Sequence, residues 1–252
     1  MTAQADSAAA RSIAAAAGAL LLEIRTGLAH GAPPEVVRSE GDRRSHELIV
    51  SSLRAAFPAD TVLSEEGELP DASRDQGRVW IVDPLDGTRE FGEHGRCDWA
   101  VHIALVIEGQ LAAGAVAIPA QGEVVRATDA PPSAPPPSAR RVRVVASRTR
   151  PGPEAAAVAA ALGGHLIPMG SAGAKIMAVV DGEADVYVHS GGQHVWDSAA
   201  PVAVALAAGL HASRLDGTPL DYGGVSTRLP DLVVCRRDLR DDVLRSVAVA
   251  AL

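Results

Sequence analysis

The apolar run Val79-Trp-Ile-Val82 ends directly on Asp83-Pro-Leu-Asp86, followed by Gly87-Thr88. A run of this kind reads as a buried strand, because β-branched and aromatic residues favour a covered sheet. A carboxylate at its last position must then project from the mouth of the sheet. Pro84 stiffens the turn, so Asp86 can return to the same point in space. Gly87 and Thr88 follow with free backbone N–H groups that predict a short helix start, an arrangement suited to phosphate. Carboxylates beside a phosphate repel it unless cations lie between them. Oxygen donors without Cys or His favour Mg²⁺ over Zn²⁺.

Two further acidic positions stand near predicted strand or helix ends, at Glu65-Glu66 and at Asp197 after Trp196. Asp42 precedes a predicted helix, where it also reads as an N-cap. The remaining pattern frames these positions. Helical spacing of Ile13, Ala17, Leu20, Leu21, Ile24 and Leu28 predicts a helix over 7–28, and a second runs over 43–57. Residues 61–63 and 79–82 read as strands, and 99–107 with 111–118 as a hairpin turning at Glu108-Gly109-Gln110. Asp129 to Ala139, with five prolines, reads as a linker or exposed loop. Beyond it, strands at 142–145 and 184–188 alternate with helices at 154–162, 172–180 and 197–208, and a surface helix runs over 238–252. The expected organisation is an α+β lobe over 1–128, the linker 129–139, and an α/β lobe over 140–252.

Composition narrows the partners. The 252 residues carry a net charge of −8, leaving no basic surplus to attract nucleic acid or an anionic membrane. An anionic ligand must therefore be held by local groups. Two cysteines, Cys97 and Cys235, give no disulfide framework. The run Ile13 to Leu22 is too short to span a bilayer and has no cleavage pattern. The chain therefore reads as cytoplasmic, with a small phosphorylated molecule as partner. The spacing of His189, His194 and Asp197 matches no common zinc motif, and Cys97 reads as a quiet reduced thiol.

The stretch Trp80-Ile-Val-Asp-Pro-Leu-Asp-Gly-Thr-Arg-Glu-Phe91 resembles the first signature of the inositol monophosphatase superfamily. Trp196-Asp-Ser-Ala-Ala-Pro201 resembles its second, and Leu63-Ser-Glu-Glu66 the carboxylate pair that precedes both. The resemblance extends from about Ser12 to Cys235. It implies a layered α/β/α/β/α sandwich and a Mg²⁺-dependent, Li⁺-inhibited phosphatase holding two or three ions, in a family where homodimers are common. It implies metal ligation by Glu65, Asp83, Asp86, Asp197 and the carbonyl of Leu85, with Glu66 supporting them. Asp42 would pair with the Thr88 hydroxyl to orient and deprotonate the metal-bound water, although Gly41 stands where a hydroxyl residue is usual.

Arg89-Glu90-Phe91 resembles the CysQ-type 3′(2′),5′-bisphosphate nucleotidases within that superfamily. Gly170-Ser-Ala-Gly-Ala-Lys-Ile176 resembles their segment for the 5′-phosphate. By that resemblance Gly87, Thr88, Ser171 and Lys175 contact substrate. So do Ser147 and Arg150 of Ser147-Arg-Thr-Arg150, with Arg150 replacing a customary His. Lys175 is the single lysine of the chain. Ser190 occupies a position where inositol phosphatases carry an acid. The expected substrate is 3′-phosphoadenosine 5′-phosphate, cleaved to AMP in support of sulfate assimilation. The alternatives are inositol 1-phosphate, fructose 1,6-bisphosphate, and a nucleotide-binding regulator without turnover. The aromatic residues suggest no adenine site.

Overall fold

The computed structural model describes residues 3–67, 76–122, 125–133 and 140–250. Two helices open the chain, α1 (Ala3–Ala29) and α2 (Pro34–Ala56). The first sheet follows: β1 (Thr61–Ser64), β2 (Arg78–Asp86), β3 (Ala100–Ile107), β4 (Gln110–Ala117) and β5 (Val125–Ala127), in that spatial order. The four-residue helix α3 (Thr88–Phe91) leaves the end of β2. The second sheet has β6 (Arg143–Ser147), β7 (His165–Met169), β8 (Val186–His194), β9 (His211–Ser213) and β10 (Arg228–Cys235), ordered β7-β6-β8-β10-β9. Around it lie α4 (Pro153–Ala161), α5 (Ala172–Val180), α6 (Val195–Ala207) and α7 (Arg240–Ala250).

Five layers result. Helices α1 and α2 cover the outer face of the first sheet, α5 and α6 fill the space between the sheets, and α4 with α7 cover the second sheet. This is the expected α/β/α/β/α sandwich. The burial pattern explains the order. Every residue of α5 is buried, so this helix is apolar on all sides and belongs in a middle layer. Helix α1 instead buries one stripe, Ala10, Ala14, Ala17 and Leu21, against the sheet. It is long and apolar enough by length and composition to cross a membrane, but here that stripe serves as the outer layer's core. Trp80, fully buried on β2, packs on Phe57 at 4.8 Å between centroids. Burying a side chain of that size contributes on the order of 3 kcal/mol.

Several elements depart from the sequence expectation. Helix α2 begins at Pro34, nine residues before Arg43, so Asp42 lies inside the helix and Pro33 occupies its N-cap. The N-cap reading of Asp42 is thereby corrected. Polar residues and Gly41 mask this stretch in the sequence, yet Gly41 is buried where a Cβ would sit 2.7 Å from Phe91 and 3.1 Å from Leu85. The first sheet is not wholly antiparallel, because β1 pairs with β2 in parallel. Strands β5, β7, β9 and β10 were not anticipated. Strand β8 begins at Val186 rather than Ala184 and runs to His194, straight into α6. Of the proline-rich stretch, 129–133 carries no helix or strand, while 134–139 falls outside the described residues, as do 251–252 of the last helix.

Candidate active site

The acidic end of β2 is built by its own backbone. Asp83 is fully buried, and its Oδ1 accepts the Leu85 N–H at 3.0 Å, which folds the Pro84 turn back on the strand. The Ser45 hydroxyl of α2 donates to the Pro84 carbonyl at 2.7 Å and fixes the turn from below. Gly87 caps α3 with φ of 86°, a conformation that a side chain would strain. A Cβ there would also stand 3.1 Å from that of Ser171.

The Thr88 hydroxyl lies 3.0 Å from the Leu85 carbonyl and 3.3 Å from Asp42 Oδ1, so α2 and the β2 turn share one proton donor. Burial, and then the charge of Glu66, push the Asp42 carboxyl up to about 6. The fold thus brings Asp42 and Thr88 within hydrogen-bond distance of each other.

Asp197 arrives from the other side of the molecule. It stands in the first turn of α6 and accepts the His194 N–H at 2.6 Å, closing the capping box that starts this helix. Three predicted ligands, Asp83, Asp86 and Asp197, offer oxygens that all lie within 4.8 Å of one another. Glu65, in the turn after β1, stands beside them, held by its N–H on the Val82 carbonyl at 3.2 Å. Lost hydration and then the Asp197 charge push Glu65 up to about 7. Burial, then Asp86, push Asp197 up to about 7 as well. Asp83 is driven well above the usual carboxylate range by burial and by Glu65. Such crowding of hard oxygen donors fits a divalent cation, which would neutralise the charge that now raises these groups.

Asp86 is held across the gap between the layers. Its Oδ2 accepts the Ser171 hydroxyl at 2.5 Å and the Gly173 N–H at 2.7 Å, both from the start of α5. Lys175, buried on the same helix, donates to the carbonyls of Gly170 at 2.9 Å and Ser171 at 2.6 Å. Its ammonium therefore braces the Gly170–Ser171 turn while lining the cleft. Ser147 and Arg150 also line it, and the Ser147 hydroxyl accepts the Arg150 N–H at 3.2 Å. The cleft encloses ≈ 470 Å³. Asp86 and Asp197 line it together with the basic side chains of Arg89, Arg148, Arg150 and Lys175.

Two contributors were missed in the sequence. His102 on β3 is fully buried beneath the cluster, with Nδ1 3.1 Å from the Trp196 carbonyl and Nε2 3.4 Å from Asp86 Oδ2. A Cβ on Gly173 would lie 1.9 Å from that ring, which accounts for the glycine. The signal was available, since a histidine in the apolar run Ala100–Ile107 is conspicuous. Arg148 was the second, passed over between Ser147 and Arg150. It reaches Glu90 and Glu93, each at 2.6 Å.

A helical layer is clasped between two sheets, and carboxylates from the first sheet and from α6 meet at a cleft whose wall also carries basic side chains. The chain belongs to the inositol monophosphatase family, whose sequence model matches residues 3–236. It is 47% identical over 245 residues to the 3′-phosphoadenosine 5′-phosphate phosphatase of Mycobacterium leprae (strain TN), covering 93% of this chain and 90% of that relative. The 3′(2′),5′-bisphosphate nucleotidase CysQ of Escherichia coli (strain K12) is 33% identical over 191 residues, covering 72% of this chain and 77% of the relative. Among solved structures, CysQ from Bacteroides thetaiotaomicron superposes with a TM-score of 0.77 at 28% identity, covering 93% of this chain and 98% of that one.

Proposed function

We propose that this chain hydrolyses the 3′-phosphate of 3′-phosphoadenosine 5′-phosphate, releasing AMP and phosphate with Mg²⁺ bound at the carboxylate cluster. The observation that carries the reading is the 47% identity, over nearly the whole chain, to a relative named for that reaction. The cleft is consistent with it. A molecule with two phosphates meets there both carboxylates that could hold cations and four basic side chains.

Asp83, Asp86, Asp197, Glu65 and the Leu85 carbonyl would hold the ions, with Glu66 beside them. The bound ions supply charge neutralisation and an acidified water. The chain's own groups do the rest. Asp42, held by the Thr88 hydroxyl, accepts the proton of the attacking water. Gly87 and Thr88 offer N–H groups to the reacting phosphate. Ser171 keeps Asp86 oriented. Ser147, Arg150 and Lys175 receive the distal phosphate, and removal of that phosphate's partner charge falls on substrate binding rather than on chemistry. By clearing a by-product of sulfuryl transfer, the reaction would support sulfate assimilation.

The test is phosphate release with Mg²⁺, with and without Li⁺, from three substrates: 3′-phosphoadenosine 5′-phosphate, inositol 1-phosphate and fructose 1,6-bisphosphate. A kcat/KM preference for the nucleotide, suppressed by Li⁺, is expected. Preference for either other substrate would overturn the substrate and leave the metal cluster standing. Binding without release would favour a regulator instead.

A further inference from the structure

We infer that Arg148 is a specificity-determining residue whose guanidinium is shared between a permanent partner, Glu90, and an exchangeable one, Glu93, which the distal phosphate of the substrate displaces. The inference rests on the reading of a doubly phosphorylated substrate given above. It assigns a role to a residue that the sequence motifs left aside.

Arg148 leaves the end of β6, where its own N–H is fixed on the Met169 carbonyl at 3.2 Å. From there the side chain crosses to α3, which starts at Thr88, and to the turn just beyond it. Its Nε donates to Glu90 and its Nη2 to Glu93, each at 2.6 Å. The two carboxylates are not equivalent. The Glu90 side chain is 7% exposed and that of Glu93 is 40% exposed. Glu90 is also pinned by packing, since a Cβ on Gly170 would lie 2.4 Å from its Cγ and Cδ. Glu93 has no such confinement. An exposed ion pair of this kind holds weakly, because water competes for both charges. A phosphate dianion offers the same guanidinium two oxygens in a matching fork.

Position favours the exchange. Arg148 lines the cleft beside Arg150 and Lys175. The Lys175 ammonium gives two of its three hydrogens to backbone carbonyls and keeps one for an anion, whereas both Nη1 hydrogens of Arg148 have no protein partner among the described residues. While Glu90 holds the arm at the cleft wall, Glu93 occupies its Nη2 until an anion arrives. The retained Glu90 pair keeps α3, with Thr88 at its start, in register with the second sheet throughout.

The experiment compares KM for 3′-phosphoadenosine 5′-phosphate with KM for adenosine 3′-monophosphate, in Mg²⁺, for wild type, Glu93→Gln and Arg148→Gln. Both substrates present the same scissile phosphate, and only the first carries the distal one. The readout is the ratio of the monophosphate KM to the bisphosphate KM. Glu93→Gln, an exposed change that spares the core, should raise the ratio about threefold by removing a competitor. Arg148→Gln should lower it by at least about tenfold, and Arg148→Lys should recover part of that loss. A ratio equal to wild type in both Glu93→Gln and Arg148→Gln overturns the inference, because a purely structural arm would alter both substrates alike. A wild-type ratio of one or below overturns the doubly phosphorylated reading itself, before any variant is compared.

Discussion

Ser171 donates its hydroxyl proton to Asp86 Oδ2 at 2.5 Å, and the same oxygen of Ser171 accepts the Ala174 N–H at 2.9 Å. One side chain thus caps α5 and orients a carboxylate carried by the opposite sheet. It does so from φ of 41°, a left-handed conformation uncommon for serine. Ser171→Ala keeps that backbone cost and loses both bonds. The expected result is a stability loss of about 1 kcal/mol from the cap, with a higher Mg²⁺ concentration for half-maximal activity. Thermal melts and a Mg²⁺ titration measure the two separately. An unaltered Mg²⁺ requirement would detach Ser171 from the cluster.

Asp83→Asn replaces a buried, crowded carboxyl, costly to ionise, with a neutral group of the same shape. The metal-free variant should melt higher than wild type, because like-charge repulsion falls. Turnover should drop by more than about a hundredfold, beyond the loss typical of changes to groups that only support a ligand. Normal turnover would remove Asp83 from the metal site.

The raised carboxyls set a pH dependence. An unfolded chain releases these protons near pH 4, whereas in the fold Asp42 holds its proton to about 6 and Glu65 and Asp197 to about 7. Between those values the folded chain binds more protons than the unfolded one. The stability these protons contribute is therefore fully present below about pH 4 and is lost as pH rises through 6 to 7. Mg²⁺ should accordingly raise Tm more at pH 8 than at pH 5. Equal shifts at both values would contradict the assignment.

Gly41 has no room for a methyl group against Phe91 and Leu85. Gly41→Ala should cost about 1–3 kcal/mol by overpacking. It should also lower kcat, because Leu85 carries the carbonyl bonded to Thr88. Chemical denaturation and steady-state kinetics report the pair. Unchanged kcat in a destabilised variant would show that the turn absorbs the displacement.

Lys175→Met keeps much of the side-chain volume and removes the ammonium. KM should rise more for the bisphosphate than for a monophosphate, and Tm should fall because the Gly170 and Ser171 carbonyls lose their donor. Equal KM effects would leave Lys175 a brace only.

What could be read from the sequence follows from what each signal depends on. The turn after β2 was legible because strand hydrophobicity, Pro84 and Gly87 act locally. The middle helices were legible because their unbroken apolar runs have few other places to go. The start of α2 was not, since its helicity comes from tertiary packing that accepts Gly41 among polar neighbours. Strand β10 was obscured by Pro230, which sits at the bulge between Leu229 and Asp231, where no ladder N–H is needed. Strand β7 lies at the sheet edge and shows little burial, so no alternation marks it. His102 and Arg148 act across long separations, and nothing in their immediate neighbours announces their partners.

The carboxylates that converge within 4.8 Å come from positions 83, 86 and 197. Asp83 and Asp86 ride on the first sheet, while Asp197 depends on α6 docking between both. The cluster thus joins positions more than a hundred residues apart in the chain, brought together where α6 packs on β2, β3 and β4. An ion held by these three carboxylates would therefore tie the first sheet to the layer behind it, a staple across the sandwich rather than a clip within one strand.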